Sequence, residues 1–162
     1  MILVIGSSGQ VGRAIQKELK ARGVPVTGTY LEKPKDDALR VSLTDEKTIA
    51  DAFEKAKPST VILSAAMTNV DLCESMSKEC FNVNVEGTKR VVKLCEKHGS
   101  KLVFFSSDYV FDGKNGPYVE EDSPNPLSVY GSSKFEGEKI TLSKEDSIVV
   151  RTTWIFSAFD VK

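Results

Sequence analysis

The chain has 162 residues, 40% of them hydrophobic, which is enough to bury one sizeable core, so we expect one domain. Its formal net charge of -1 argues against a dedicated nucleic-acid binder, because such proteins normally carry a basic excess. No apolar run approaches the roughly 18 residues that span a membrane. The apolar N-terminal run also lacks the basic flank and cleavage pattern of a signal peptide, and we therefore expect a cytoplasmic location.

The cysteines and the single histidine argue against metal and hydrolase chemistry. Cys73, Cys80 and Cys95 share no CxxC spacing, so buried thiols in a reducing compartment are favoured over metal ligands. His98 stands before Gly99, where a helix is expected to end, and a capping role is favoured over a catalytic one. We therefore predict no metal site.

Strand and helix patterns alternate along the sequence. Short apolar, β-branched runs predict strands over residues 2–5, 24–30, 60–63, 102–105 and 148–150. Apolar stripes predict helices over 10–22, 44–57 (capped by Thr44), 77–98 and 128–143, with loops over 31–40 and 107–127. The alternation predicts a Rossmann-type α/β fold, a doubly wound, mostly parallel sheet with helices on both faces and a ligand crevice at the carboxyl ends of the strands.

A glycine-rich turn connects the first predicted strand to the first predicted helix. Glycines allow a tight turn and a close approach of the backbone to a pyrophosphate, and a helix N-terminus offers free N–H groups to phosphates. Because the motif stands between a strand and a helix, it predicts a dinucleotide site, with an ordinary glycine turn as the alternative. The predicted contacts are Gly6, Ser8, Gly9, Gln10, Val11 and Gly12.

Tyr130 and Lys134 are spaced to share one face of a helix. An ammonium near the phenol would lower its pKa from about 10 towards neutrality. Tyr130 could then give a proton to the alkoxide that forms when hydride reaches a ketone. Ser107, just beyond the fourth strand, could hydrogen-bond the substrate carbonyl, and Ser106 competes for that role. A helix-surface pair and a turn-forming serine are the alternatives.

Longer segments resemble a known family. They are SSDYVFDG (106–113), PYVEED (117–122), PNP (124–126), AAMTNVD (65–71), VNVEGT (83–88) and RTTW (151–154), together with Tyr130-Gly131, Lys134 and Gly137-Glu138. These segments are similar to those of the dTDP-4-dehydrorhamnose reductase family, within the extended short-chain dehydrogenase/reductase superfamily. The G-x-x-G-x-x-G spacing of the glycine turn also resembles that superfamily.

The resemblance implies an NAD(P)H-dependent reductase of a nucleotide-activated 4-keto-deoxysugar. It implies Ser107, Tyr130 and Lys134 as the catalytic triad, with Asn84 as a supporting hydrogen-bonding residue. From the residues alone, Asn84 could equally face solvent. The further predicted cofactor contacts are Tyr30, Leu43, Ala65, Ala66, Tyr130 and Lys134, and the predicted contacts of the dTDP-sugar are Val110, Phe111 and Trp154. A homodimer is left open.

The end of the second predicted strand bears on cofactor selectivity. NAD-selective enzymes carry an acidic residue there that binds the ribose 2′-OH. This sequence has Tyr30 instead, with Arg13, Lys33 and Lys35 nearby, so NADP(H) is favoured. Glu32 leaves NAD(H) open.

The sequence departs from the family in two places. Ser42 opens the segment SLTD where the family often has D-x-T-D, so the adenine contact attributed to that aspartate is not expected. Relatives carry a further C-terminal region that supplies much of the sugar-nucleotide pocket, and we expect it to be largely absent from the NAD(P)-binding domain of residues 1–162. Two other functions stay open: a regulatory subunit resembling the β subunit of methionine adenosyltransferase, and a nucleotide-sugar epimerase or dehydratase.

Overall fold

Six strands form a parallel sheet in the computed structural model, which describes residues 1–34 and 37–155. The strands are β1 (Ile2–Ile5), β2 (Val26–Tyr30), β3 (Ala38–Arg40), β4 (Thr60–Leu63), β5 (Lys101–Ser107) and β6 (Ser147–Thr152). They lie in the order β3-β2-β1-β4-β5-β6, and every neighbouring pair is parallel. The predicted Rossmann-type α/β fold is confirmed.

Helices connect the strands. They are α1 (Gln10–Ala21), α2 (Glu46–Ala56), α3 (Val70–Ser75), α4 (Ser77–Phe81), α5 (Gly87–His98) and α6 (Val129–Leu142). A π-helical turn over Asn82–Glu86 joins α4 to α5, and a 3₁₀ turn over Asp108–Val110 follows β5. The helix predicted over 77–98 is therefore interrupted by a wider turn, a feature that is frequent at functional sites.

The core lies between the central strands and the helices that cover them. Strands β1, β4 and β5 are rich in apolar residues because both faces of a parallel sheet are covered. The largest fully buried side chains include Leu3, Ile5, Ile49, Phe53, Val61, Leu63, Val91, Leu102 and Phe104. This core holds the carboxyl ends of the central strands together, where the candidate site lies.

Two local predictions are wrong. Residues 31–40 are not all loop, because Ala38–Arg40 pairs with β2 as a three-residue edge strand. So short a strand leaves no apolar run in the sequence. Helix α2 is capped by Asp45 rather than Thr44, since the Asp45 carboxylate accepts a hydrogen bond from the Lys47 amide at 3.0 Å.

Three further observations concern residues 1–34 and 37–155. None of the helices there has the length and apolar content to cross a membrane. The thiols of Cys73, Cys80 and Cys95 are free and buried. No group of three His, Cys, Asp or Glu side chains in those ranges is arranged to hold a metal ion.

Candidate active site

A cavity of about 720 Å³ opens where the central strands end. Its volume lies within the ~300–1,000 Å³ that is usual for small-molecule sites. Its lining includes every predicted cofactor contact and the three predicted catalytic residues: Gly6, Ser8, Gly9, Gln10, Val11, Gly12, Tyr30, Leu43, Ala65, Ala66, Ser107, Tyr130 and Lys134. The fold thus gathers residues that are more than 100 positions apart in the sequence around one space.

The glycines of the turn after β1 have different surroundings. Gly6 has a φ of +99°, in the region that favours glycine, and a Cβ there would lie 2.6 Å from the amide nitrogen of Ala65. A Cβ at Gly12 would collide with the carbonyl oxygen of Gly6. At Gly9, by contrast, a Cβ would lie 3.4 Å from that same oxygen, which is an ordinary van der Waals contact. Gly6 and Gly12 are therefore required by protein packing, whereas Gly9, which lines the cavity, is not.

The N-terminus of α1 forms the anion-binding end of the cavity. Gly9 is the N-cap, and among the described residues no side chain caps the helix, so its first N–H groups remain available. The turn is anchored to β2, since the Gly6 amide donates to Thr29 Oγ1 and Ser7 Oγ donates to the Thr29 carbonyl, both at 3.0 Å. Free amides at the positive end of a helix dipole suit a phosphate group.

Tyr130 lies in the first turn of α6 and is 9% exposed. Burial raises the pKa of the phenol, and the nearby Ser107 hydroxyl partly offsets that rise. Ser107 Oγ accepts a hydrogen bond from the Tyr109 amide at 3.2 Å and donates to Asp108 Oδ1 at 3.1 Å. The Tyr109 ring meets the Tyr130 ring edge-on, with the centroids 5.7 Å apart. The phenol is thus held between the end of β5 and the 3₁₀ turn.

Lys134 lies one helical turn after Tyr130, and its side chain is almost wholly buried. Its Nζ is 4.1 Å from the centroid of the Phe104 ring. Burial lowers the pKa of Lys134 to about 7, while the Glu138 carboxylate acts in the opposite direction. The predicted lowering of the Tyr130 pKa by the ammonium is wrong for this structure, because desolvation of the phenol is the larger effect.

Asn84 lies in the π turn, is buried, and connects two parts of the site. Its Oδ1 accepts from the Met67 amide at 2.8 Å, and its Nδ2 donates to the Met67 carbonyl at 3.0 Å. Nδ2 also donates to Ser133 Oγ at 2.9 Å, and Ser133 Oγ donates to the Tyr130 carbonyl at 2.7 Å. Asn84 therefore faces the interior rather than solvent, and it joins the loop after β4 to helix α6.

The three predicted substrate contacts lie in different places. Trp154 lines the cavity and is 76% exposed. Phe111 lies in a second cleft, where its ring stacks on Tyr118 with the centroids 4.2 Å apart. Val110 is fully buried and lines neither space, because the 3₁₀ turn directs its side chain into the protein. Of the three, Trp154 is the one that the structure places at the main cavity.

Asp112 organises the loop between β5 and α6, and sequence reasoning missed it. Its carboxylate accepts hydrogen bonds from the Tyr118 hydroxyl at 2.6 Å, and from the Lys114 amide and Asn125 Nδ2, both at 3.0 Å. These bonds lower the pKa of Asp112 to about 2, with the Tyr118 bond the largest cause. The signal in the sequence was an aspartate in a loop that is rich in glycine and proline.

A buried ion pair between Glu138 and Arg151 was also missed. Glu138 is 1% exposed, and it accepts from Arg151 Nε at 3.0 Å and from Arg151 Nη2 at 2.7 Å. Arg151 lies 5.0 Å from the Phe111 ring centroid and donates through Nη1 to the Glu120 carbonyl at 3.3 Å. The available signal was the position of Glu138 four residues after Lys134, on the same helix face.

The part of the cavity near β3 is built around Leu43. A Cβ at Gly87 would lie 2.7 Å from the Leu43 Cβ, and Arg90 Nη1 donates to the Leu43 carbonyl at 2.9 Å. Ser42 Oγ lies 2.9 Å from Thr44 Oγ1, so the hydroxyl that replaces the family's aspartate is engaged within its own turn. The wall of the cavity at Leu43 is apolar, and the hydrogen bond from Arg90 fixes the Leu43 backbone.

Tyr30 ends β2 and lines the cavity beside Leu31. Arg13 Nη2 donates to the Ser8 carbonyl at 3.1 Å, which places a guanidinium at the glycine turn. Lys33 is exposed, and Lys35 lies outside the described residues.

Comparison with known proteins identifies relatives over the whole chain. The family described as "RmlD substrate binding domain" matches residues 1–161. The β subunit of methionine adenosyltransferase 2 from Danio rerio is 37% identical over 138 residues, covering 85% of this chain and 42% of the relative. A dTDP-4-dehydrorhamnose reductase from Aggregatibacter actinomycetemcomitans is 35% identical over 160 residues, covering 98% and 52%. The chain spans about half the length of the curated relatives it matches.

Solved structures also resemble this chain over most of its length. A hypothetical dTDP-4-dehydrorhamnose reductase from Sulfolobus tokodaii has a TM-score of 0.89 at 37% identity, covering 96% of this chain and 56% of that one. The Bacillus anthracis dTDP-4-dehydrorhamnose reductase in complex with NADP has a TM-score of 0.84 at 29% identity, covering 96% and 54%. A Thermus thermophilus UDP-glucose 4-epimerase in complex with NAD has a TM-score of 0.78 at 30% identity, covering 88% and 49%.

Proposed function

Because this chain belongs to the RmlD substrate binding domain family, we propose that it forms the cofactor-binding part of an NADPH-dependent reductase that acts on a dTDP-4-keto-deoxysugar. The observation that carries this proposal is the cavity that unites the glycine turn with Ser107, Tyr130 and Lys134. Relatives that carry the name dTDP-4-dehydrorhamnose reductase support the reaction class.

The residues around the cavity fit a dinucleotide. The uncapped N-terminus of α1 would hold the pyrophosphate, and Gly9 leaves room for its close approach. The apolar wall at Leu43 would pack against the adenine, and Lys134 would hydrogen-bond the nicotinamide ribose. When bound, the reduced nicotinamide supplies a hydride to the carbonyl carbon of the sugar.

Tyr130 would act as the general acid. Its raised pKa keeps the phenol protonated at neutral pH, so it has a proton to donate to the oxygen that becomes the alcohol. Ser107 Oγ, at the carboxyl end of β5, would hydrogen-bond the same oxygen and fix its position. Negative charge on a bound dinucleotide would favour the ammonium form of Lys134, whose pKa burial lowers to about 7.

Selectivity for NADP follows from the residues around Tyr30. No acidic residue occupies that position to accept a hydrogen bond from the ribose 2′-OH. The Arg13 guanidinium, held at the glycine turn by its bond to the Ser8 carbonyl, would attract a 2′-phosphate. The NADP complex of the Bacillus anthracis relative supports this preference.

The test separates cofactor binding from reduction. NADPH and NADH are titrated against the protein by fluorescence, with NADPH expected to bind more tightly. NADPH oxidation by the natural protein is then measured after addition of dTDP-4-dehydro-6-deoxy-L-mannose. We expect Tyr130→Phe to retain NADPH binding and to lose about 10²–10⁴ in turnover. Full turnover in Tyr130→Phe would contradict the assigned acid.

A second candidate is a regulatory subunit, favoured by the 37% identity to the β subunit of methionine adenosyltransferase 2. Both candidates predict dinucleotide binding, so binding alone does not separate them. The segment from Arg151 to Trp154 resembles the reductases more closely, which is why reduction is preferred. NADPH binding without sugar-dependent oxidation, together with binding to a methionine adenosyltransferase catalytic subunit, would favour the second candidate.

A further inference from the structure

We propose that Glu138 is a positioning residue of the site: its buried carboxylate places negative charge beside the Lys134 ammonium, while its ion pair with Arg151 ties helix α6 to the loop between β5 and α6. The inference rests on the proposed role of Lys134. It adds Glu138, which has no part in the proposed role of Lys134 because it does not line the cavity.

Helix geometry places Glu138 next to Lys134. The two residues are four positions apart, so their side chains share one face of α6, one turn apart. Both are nearly fully buried, and a buried charge is costly unless it has a partner. The carboxylate of Glu138 has its ion-pair partner in Arg151, whereas the Lys134 ammonium lies over the Phe104 ring. Glu138 is therefore the buried carboxylate on the same face of α6 that can compensate the charge of Lys134.

The charges around Lys134 come from several elements. The ionisable groups that act on Lys134 are Glu138 of α6 and Cys80 of α4. Those that act on Tyr130 are Cys73 of α3, Cys80 and Asp108 of the 3₁₀ turn. Arg151 of β6 pairs with Glu138. Glu138 has the largest favourable effect on the charged form of Lys134, and it opposes the desolvation that lowers the pKa of Lys134. Loss of that carboxylate should leave Lys134 predominantly neutral at pH 7.

Arg151 extends the same network to the loop. Its side chain is 23% exposed, whereas that of Glu138 is 2% exposed, so the pair runs from the interior towards the surface. At its outer end the guanidinium contacts the Phe111 ring and the Glu120 carbonyl. Both belong to the loop that carries Tyr109 against the Tyr130 ring. Glu138 thus affects both the ionisation of Lys134 and, through Arg151, the position of the loop beside the cavity.

The first experiment measures the ionisation of Lys134 directly. The chain is labelled with ¹³C at lysine Cε, the Lys134 signal is assigned with Lys134→Arg, and its midpoint is followed by NMR against pH. Glu138→Gln should lower the midpoint by about one pH unit or more. Glu136→Gln is the matched control, since Glu136 forms an exposed ion pair with Lys139 on the same helix, and it should leave the midpoint unchanged. An unchanged midpoint in Glu138→Gln would overturn the proposal.

The double variant Glu138→Gln/Arg151→Met separates the effect of the missing carboxylate from the effect of an arginine left without its partner. It leaves no unpaired arginine, and replacing both partners of a buried pair by neutral groups is often tolerated. Its midpoint should stay as low as that of Glu138→Gln. A return to the wild-type midpoint would mean that the unpaired Arg151 charge caused the shift, and the assignment to Glu138 would be wrong.

The second experiment addresses the loop. Arg151→Met should speed proteolytic cleavage within residues 112–122 by several-fold, and unchanged cleavage would remove the loop from the proposal. Neither experiment requires turnover, so both outcomes are separate from the proposed reaction. If Lys134→Ala bound NADPH as tightly as wild type, the proposed role of Lys134 would fail while the NMR result on Glu138 remained valid.

Discussion

The α-carbon of Gly12 faces the carbonyl oxygen of Gly6 so closely that no side chain fits between them. Gly9 has a φ of −77° and a ψ of 172°, which any residue can adopt, and a Cβ there has room. We therefore expect Gly12→Ala to destabilise the fold by about 1–3 kcal/mol, the usual cost of overpacking. Gly9→Val should instead remain folded and bind NADPH at least tenfold more weakly.

Urea unfolding and NADPH fluorescence titrations of the two variants check this pair of expectations. Each variant is the control for the other, since one reports on packing and the other on space for a ligand. Equal NADPH affinity in wild type and Gly9→Val would show that the turn is not the phosphate site.

The pH dependence of stability reports on the burial of Lys134. Burial lowers the pKa of Lys134 in the folded protein to about 7, whereas the pKa of an unfolded lysine is about 10.4. Between these values the unfolded state binds more protons, so stability should rise with pH. Relative to Lys134→Met, wild type should gain up to about 1.4 kcal/mol per pH unit above pH 7.

The measurement is best made between pH 7 and 8.5. Burial raises the pKa of Cys73 and of Cys95 to about 12, so above about pH 8.5 the unfolded state loses thiol protons that the folded state keeps. That effect lowers stability with rising pH and opposes the effect of Lys134. Parallel stability curves for wild type and Lys134→Met would contradict a depressed lysine pKa.

Asn84→Ala should destabilise the protein by about 1–3 kcal/mol, because it removes the hydrogen bonds of this buried side chain to the partly buried Met67 backbone and to the Ser133 hydroxyl. Urea unfolding measures this change. Asn82→Ala in the same π turn is the control, because within residues 1–34 and 37–155 that side chain accepts one long hydrogen bond, from Arg90 Nη2 at 3.5 Å. Equal losses in both variants would mean that Asn84 has no special bridging role.

Asp112→Asn should loosen the loop, since an amide cannot accept all three hydrogen bonds that the carboxylate accepts. Proteolysis within residues 112–122 should become several-fold faster at neutral pH. Glu121→Gln removes an exposed charge from the same loop and should change nothing. In wild type, the contribution of Asp112 is present above about pH 4 and is lost as the pH falls towards 2. Unchanged cleavage in Asp112→Asn would refute its organising role.

The sequence predicted those features of the site that lie on a single helix or turn, because each depends on the spacing of residues close together in the chain. The glycine turn follows a strand and opens a helix, and Tyr130 and Lys134 are one helical turn apart. Alternating apolar runs gave the parallel sheet for the same reason. Where a motif lies on a single element, the geometry of that element is enough to predict its arrangement.

The remaining features depend on tertiary packing. Ala38–Arg40 is an edge strand without an apolar run, and the Glu138–Arg151 pair joins a helix to the following strand across 13 positions. Val110 was placed with the substrate contacts, but the 3₁₀ turn after β5 rotates its side chain inward. No periodicity in the sequence encodes any of these three arrangements.

The buried face of α6 has a consequence for the order of folding. The buried residues of this face are Tyr130, Gly131, Ser133, Lys134, Gly137, Glu138 and Thr141. They offer little apolar surface, so non-directional hydrophobic collapse contributes little to the docking of the helix. The helix docks instead through close contacts, such as that of Gly137 with the Phe104 ring, which exist when β5 is already in place. We expect α6 to dock after the folding transition state, so that Gly137→Ala accelerates unfolding in stopped-flow experiments and leaves the refolding rate nearly unchanged. A site assembled this late would open by local undocking of one helix, well before the sheet itself melts.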